Sequence, residues 1–485
     1  MNRNVSKRTE NHNEEISEDN TSSERIKNNK KIRSKLPEKE FEIRRSLLIE
    51  LIEDNVHFSG AYNILLSFTV LHMTVINFTE YVHHGRLSPA LQLILNNFGQ
   101  FQMTFIIWLG INIGSFLCYY FFVFWTKMRQ KVPFTKFFDI LCMILLVKYF
   151  GFLLYIIPVL INLLDVPFAS SMIILGESVR FLMKIYAFAR DNTAKVLKQK
   201  SDEKDNKLPT FSHFVYFVYA PTAVYKDQYP RQISSSFFNS SLTFPFCPVP
   251  NQSQTTNVRW NFVVARLAEI LWTILCQAHV YTYMIVPMYE DTCKQPVTLI
   301  EFFILLLKTC IPSTVLLWLT FISTIHSTQN AVGEILRFGD RMFYSDWWNV
   351  QNLQQYYKKW NWVVGDFLYI YINKDLNDNV CPDKRFFAKL TTILISAVLH
   401  DWVASIALGF YSPVTSIVMI LSICMLSNGK PKDNKFYKFI TWVCVPIGIS
   451  LIATMMFTEH FARLNLPSNT NGTFQYWKHC IVYKS

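Results

Sequence analysis

The chain has 485 residues, 51% of them hydrophobic and only 17% charged, with a formal net charge of +12. Soluble domains carry about a quarter charged residues, so the balance points to a protein solvated by lipid. The basic excess gathers in the N-terminal tail and in loops between apolar runs, where the positive-inside rule puts it, so no nucleic acid is expected as a partner.

Residues 1–40 are crowded with Lys, Arg, Glu and Asn and have no apolar period, which predicts a disordered cytosolic tail without a cleaved signal. Over 41–58 (FEIRRSLLIELIEDNVHF), Leu47, Leu48, Leu51 and Ile52 recur on one side of an amphipathic helix. That helix has two possible seats, the membrane surface or the protein itself. Residues 59–460 form the expected membrane domain. A bilayer crossing needs about twenty mostly apolar residues, and nine runs qualify loosely: 60–78, 103–125, 137–158, 163–178, 260–287, 298–324, 387–408, 412–428 and 437–457. The fourth is the weakest, being short and following a Pro break. The expected fold is therefore an all-α polytopic membrane protein with about nine transmembrane helices.

Charge gives the orientation. With the N-terminus in the cytosol, nine crossings also leave 126–136, 180–207 and 429–438 there, and all three are rich in Lys and Arg. The tail 461–485 then faces the lumen with a sequon at Asn471, whereas Asn239 and Asn251 head sequons on the cytosolic side. Two long cytosolic loops, 179–259 and 325–386, interrupt the apolar pattern. The first holds a Ser/Pro/Asn-rich insert (233–256). The second is dense in Trp, Tyr, Asp and Arg, and polar backbone beside a membrane folds onto the protein or lines a cavity. Ten cysteines lie scattered without CxxC or metal-like spacing, so cysteine chemistry is not expected to be central; no metal and no cofactor are expected.

Four histidines fall within or at the edges of the spans: His72, His279, His326 and His400. An ionisable residue at membrane depth is a functional-site hypothesis by default. His400 stands out because Ala397, Ala404 and Ala407 share its helical face and leave room beside the imidazole, with Asp401 adjacent. The competing reading is a small-residue packing seam with His400 hydrogen-bonded inside it. His72 and His279 read better as satisfied structural histidines. The stretch FGDRMFYSDWWN (338–349) sets Asp340, Arg341 and Asp346 among Phe343, Tyr344, Trp347, Trp348 and Asn349. If helical, it stacks Phe343 on Trp347 and Tyr344 on Trp348. An interfacial aromatic belt accounts for the rings but not for two acids and an Arg so close together. A pocket wall facing a charged, partly aromatic ligand accounts for both.

FYSDWWN (343–349) resembles the FYxDWWN signature of the sterol O-acyltransferase and diacylglycerol acyltransferase branch of the membrane-bound O-acyltransferase superfamily. SAVLHDW resembles that family's active-site histidine segment, with the histidine at His400. RRSLLIELIE (44–53), ESVRFLMKIYAFARDN (177–192), APTAVYKDQYPR (220–231), NVRW (257–260), HSTQNAVGEILRFGDR (326–341, with Asn330 and Glu334) and YYKKWNWVVGDF (356–367) resemble sterol-acyltransferase segments in the same order. YKDQYPR followed by VRW favours the sterol enzymes over the diacylglycerol ones.

The resemblance implies nine helices around a tunnel, acyl-CoA entering as a substrate from the cytosol, and a sterol entering from the bilayer. It also implies a homo-oligomer in the endoplasmic reticulum membrane. By the same resemblance His400 and Asn361 are catalytic, and Phe343, Tyr344, Asp346, Trp347, Trp348 and Asn349 lie near acyl-CoA. Asp401, Asn330, Glu334, Asp340 and Arg341 support them. Apart from the resemblance, Lys358, Lys359 and Arg341 are candidates to pair with the CoA phosphates, the competing reading of the Lys pair being an ordinary positive-inside loop. Three departures stand out. Gly365 replaces a histidine common in the family, Asp401 replaces a glutamate, and of a lumenal cysteine pair only Cys480 remains, its pairing with Cys293 left open. The alternatives are another lipid alcohol as acceptor, or a non-catalytic binder of sterol or acyl-CoA.

Overall fold

The structure, a computed structural model, describes residues 39–129, 134–198, 208–231, 258–295, 297–380, 382, 384–426, 435–466 and 475–480. The tail 1–38, the insert 233–256 and the sequons at Asn239, Asn251 and Asn471 lie outside the described residues. The chain divides into two units, Phe41–Phe367 with Ile393–Ser485, and Met1–Glu40 with Leu368–Thr392.

In the larger unit the segment 41–58 is not one helix. Residues 41–46 are largely extended, helix α1 spans Leu47–Asp54, and Asn55 ends it. The Asn55 side chain accepts hydrogen bonds from the backbone of His57 and Phe58 and so starts the next helix, α2 (Val56–His84). This is the ordinary work of an N-capping Asn. Ile52 is buried, and Leu47 and Leu48 pack on a cluster that includes Phe338, Phe343, Tyr344 and Trp347. Through these residues the helix packs on the protein.

Gly85 closes α2 in the left-handed region (φ 63°), and a short helix α3 (Pro89–Asn97) follows, capped by Ser88 with proline in its first turn. Then come α4 (Phe101–Arg129), α5 (Thr135–Leu163), α6 (Phe168–Lys198), α7 (Phe211–Tyr219), α8 (Trp260–Tyr289) and α9 (Leu299–Ile335). Short helices α10 (Leu353–Trp360) and α11 (Trp362–Phe367) precede α12 (Arg385–Leu408), α13 (Val414–Leu426), α14 (Lys435–Asn465) and α15 (Gln475–His479). Among the described residues seven helices are long and apolar enough to cross a membrane: α2, α4, α5, α8, α9, α12 and α14.

The other two expected crossings differ. A turn in which Asp165 takes φ 47° separates α5 from α6, so the fourth run does not begin at 163. From Phe168 the helix continues for 31 residues and takes in much of what the sequence suggested was loop, carrying Glu177, Arg180 and Lys184 with it. Helix α13 is described over Val414–Leu426, up to the edge of the described residues. Helix α9 likewise runs beyond 324 to Ile335, winding as a π-helix over Ile322–Thr328. Such widened turns occur mostly as single inserts in α-helices and often mark functional sites.

Lipid gives helices little hydrophobic reason to associate, so packing and hydrogen bonds hold them. The buried Tyr289 hydroxyl, on α8, pairs with Thr309 on α9 (2.6 Å) and donates to Thr454 on α14 (3.2 Å). At the same end, a Cys293–Cys480 disulfide with Cα atoms 5.1 Å apart ties the turn after α8 to the tail. Glu459 on α14 accepts the Gln475 and Tyr476 amides that open α15. The smaller unit contains the π-wound segments Leu368–Lys374 and Leu376–Val380 and the first residues of α12.

Candidate active site

The widened turn of α9 places His326, with no exposed surface, where both ring nitrogens are engaged. Arg266 Nη1 donates to Nε2 (2.9 Å), and Nδ1 lies 2.6 Å from the Tyr344 hydroxyl. A guanidinium only donates, so Nε2 is the acceptor and Nδ1 of the neutral ring carries the hydrogen. The Tyr344 oxygen therefore accepts from His326, and also from the Leu48 amide (3.3 Å), leaving its own hydrogen for Ser46 Oγ (3.2 Å). Asn330 Nδ2 donates to the same serine oxygen (3.1 Å). Glu269 completes this wall, paired with Arg266 (2.8 Å) and accepting from Ser327 and Tyr62.

The FYSDWWN loop is built on this network. It is not helical, so the expected stack of Phe343 on Trp347 is not formed, although the Tyr344 and Trp348 rings do meet at 6.4 Å. Phe343, Tyr344 and Trp347 are buried, Trp348 is half-buried and Asn349 is exposed. Trp347 packs among Phe321, Trp360 and Trp442. Two backbone bonds pin the loop beside Asn361: Trp362 N–H donates to Phe343 O (2.8 Å), and Ser345 N–H to Lys359 O (2.9 Å). Asp346 pairs with Lys359 (2.8 Å) and accepts from Ser345 (2.9 Å). Burial acts to raise the Asp346 carboxyl, but the hydrogen bonds from Lys359 and Ser345 outweigh it and hold the group below the ordinary aspartate value.

Several other acids and bases of this region are paired with one another. Glu334 accepts from Arg259 (2.8 and 3.0 Å) and from the buried Arg341 (2.6 Å), and Asp340 takes both ends of the Arg44 guanidinium (2.8 and 3.2 Å). Arg341 and Lys359 are therefore committed to carboxylates, and of the three cations proposed for CoA phosphates only Lys358 is exposed.

Asn361 sits between α10 and α11, half-buried, with Oδ1 accepting from the Val364 amide (3.2 Å). Its oxygen caps α11, and its Nδ2 is left as a donor. One turn on, Gly365 donates to Asn361 O (3.0 Å), and a methyl group built on Gly365 meets no atom within 4 Å.

His400 projects from α12 and is exposed, while Ala397 on the same face is wholly buried and Ala404 and Ala407 are half-buried. Packing and access share that face. His400 Nδ1 lies 2.7 Å from Ser396 O. A carbonyl only accepts, so Nδ1 carries the hydrogen and Nε2 of the neutral ring presents a lone pair. Asp401 points elsewhere: its two oxygens accept the Thr415 and Ser416 amides (2.9 Å each) at the start of α13. No hydrogen bond joins His400 to Asn361 among the described residues.

Of the other histidines, His279 is satisfied structurally by Leu275 O and Asn77, as expected, but His72 is exposed rather than buried in a partnership. Sequence reasoning passed over Arg266 and Glu269. Their signal was present, since an Arg and a Glu three residues apart inside an apolar run are ionisable groups at membrane depth.

The family model described as MBOAT, membrane-bound O-acyltransferase family, matches residues 90–458. The chain belongs to the membrane-bound O-acyltransferase family. Sterol O-acyltransferase 1 of Mus musculus is similar to this acyltransferase, 28% identical over 438 residues that make up 89% of the chain and 76% of the relative. Sterol O-acyltransferase 2 of Homo sapiens is 28% identical over 434 residues, 89% of the chain and 77% of the relative. This acyltransferase is thus a multi-pass membrane enzyme, and the all-helical architecture expected from hydropathy agrees with its family.

Proposed function

We propose that this acyltransferase moves a long-chain fatty acyl group from acyl-CoA to the 3-hydroxyl of cholesterol or a related sterol. The observation that carries the chemistry is the His400 ring, exposed on an apolar helix with Nδ1 given to Ser396 O and Nε2 free to accept a proton. The sterol acceptor rests on the similarity to the two sterol O-acyltransferases.

In this reading Nε2 takes the sterol hydroxyl proton as the oxygen attacks the thioester carbonyl, a role that typically contributes about 10² to 10⁴-fold. The carbonyl oxygen gains the charge, and in this reading Asn361 Nδ2 is the donor that receives it. Collapse of the intermediate breaks the C–S bond, and the CoA thiolate leaves with the proton returned by the imidazolium. No metal or cofactor enters the step. A water-poor site limits competing thioester hydrolysis.

The enzyme would lie in the endoplasmic reticulum membrane as a homo-oligomer, N-terminus cytosolic and C-terminus lumenal. Charge-based topology puts both Cys293 and Cys480 on the lumenal side, and their disulfide fits an oxidising compartment. An impermeant maleimide added to reduced, sealed microsomes should spare Cys480 until the membrane is opened; labelling from outside would reverse the orientation.

The test of the reaction supplies labelled oleoyl-CoA, cholesterol and diacylglycerol together to microsomes lacking their own sterol esterification. Steryl ester from the wild type and none from His400→Ala is the expected result. Labelled triacylglycerol instead would overturn the acceptor, and no ester from a folded, inserted protein would overturn the catalytic reading in favour of a binder.

A further inference from the structure

The segment just before the first membrane helix is bonded to the FYSDWWN loop more closely than a tether requires. Arg44 N–H donates to Gly339 O and Arg341 N–H to Arg44 O (3.0 Å each), a reciprocal pair that lays the segment along the loop. The Arg44 guanidinium grips Asp340 with two nitrogens, and Asp340 Oδ1 also accepts the Met342 amide (3.3 Å), one residue before Phe343. Two residues on, Ser46 is 2% exposed and closes the hydrogen-bond chain from Arg266 through His326 and Tyr344, with Asn330 donating from the other side.

The fit leaves no slack. Gly339 lies so close to the 230 region that a methyl there would sit 2.7 Å from Pro230 O, and Phe41 packs on Phe338 and Tyr229. The opposite edge of the loop is fixed to the Lys359–Trp362 stretch that carries Asn361. A shift at Tyr344 is therefore passed along the loop toward Asp346 and Trp348, both half-buried.

We propose that Arg44 and Ser46 are positioning residues for the acyl-CoA side of the site, holding the FYSDWWN loop from outside the membrane domain. The proposal rests on the acyl-CoA reading above. Leu47 and Leu48 already anchor α1 by packing. The polar bonds of Arg44 and Ser46 are directed to the loop and to Asn330, and a hydroxyl is buried at a cost unless it is bonded. Ser46→Ala removes the acceptor of the Tyr344 hydrogen and the Asn330 partner together, with little change in volume.

The decisive experiment measures, on the full-length purified protein, the affinity for a non-hydrolysable oleoyl-CoA thioether, alongside KM for oleoyl-CoA and for cholesterol. Ser46→Ala should weaken the thioether and raise KM for oleoyl-CoA by about tenfold, the loss of roughly one buried hydrogen bond, while KM for cholesterol stays put. Arg44→Asp should do the same or more, and adding Asp340→Arg should restore part of the affinity, the ion pair being re-formed but the acceptor for the Met342 amide lost. A folded Ser46→Ala protein with wild-type thioether affinity, or one weakened equally toward both substrates, would overturn the proposal. The thioether needs no turnover, so a wild type that binds it without making ester would refute the reaction and still test the positioning. A wild type that does not bind it would refute the acyl-CoA reading itself.

Discussion

The FYSDWWN loop and the His400 helix are built in opposite ways. In the loop, Tyr344 alone has three hydrogen-bond partners, Asp346 has two, and three aromatic rings are buried. His400 has one bond, to the carbonyl a turn before it, and is otherwise exposed. The contrast follows from what each must do in the proposed reaction. A wall that defines where a large ligand lies benefits from being over-determined. A general base must keep one lone pair unclaimed until substrate arrives, and a second bond to Nε2 would take it away. Asn361 is a hybrid, its oxygen spent on the α11 cap and its NH₂ kept in reserve.

That hybrid offers the largest test of the contrast. Asn361→Asp keeps an oxygen for the Val364 amide but removes the side chain's N–H donor, so the fold should survive while kcat falls by about 10² to 10³, as for loss of one oxyanion donor. Asn361→Ala removes cap and donor together and should additionally destabilise α11. If Asn361→Asp retains near wild-type kcat, the asparagine serves the helix cap and not the reaction, and the division between the two regions must be redrawn.

A smaller effect is expected next to the histidine itself. Asp401 is tightly bonded, and its bonds run to the start of α13, not to His400. Asp401→Asn keeps one acceptor oxygen, but it loses the second bond and the favourable charge at a helix N-terminus, a cost of about 1 kcal/mol. A lower Tm with KM for acyl-CoA unchanged is the expected outcome. A rise in that KM, with Tm unaltered, would make Asp401 part of the ligand wall instead.

How far each region could be read in advance also differs. Hydropathy and charge found all seven long apolar helices, because a crossing writes itself as about twenty apolar residues. They misjudged α6, where Glu177, Arg180 and Lys184 ride on an otherwise continuous helix whose charged groups find protein partners: Arg180 pairs with Glu177, and Lys184 donates to Phe217 O and Ala220 O. Helix α3 went unassigned although Ser88-Pro89, a cap followed by a first-turn proline, announces it. The loop is harder. Nothing in FYSDWWN says that its tyrosine bonds to Ser46, nearly three hundred residues earlier, because a non-local hydrogen bond leaves no period in the sequence. The break at Asn55 was missed, because the apolar repeat over 47–52 was extended to residue 58, although an Asn is a favoured N-cap.

The smallest effect concerns Gly365, which lies in α11 one turn beyond Asn361. Glycine within a helix costs about 0.5–1 kcal/mol relative to alanine, and two common reasons for tolerating it are absent here. Its φ is not positive, and no atom stands within 4 Å of where a methyl would go. Gly365→Ala should therefore raise stability by about that amount without loss of activity. The open face lies beside the half-buried Asn361, so a larger group there meets whatever approaches the Asn361 donor before it meets protein. Gly365→Phe is expected to raise KM for cholesterol several-fold more than KM for a straight-chain alcohol in the same microsomes. Equal effects on both acceptors would mean that the space is merely unfilled, and the accessible side of the site would then be confined to the His400 helix.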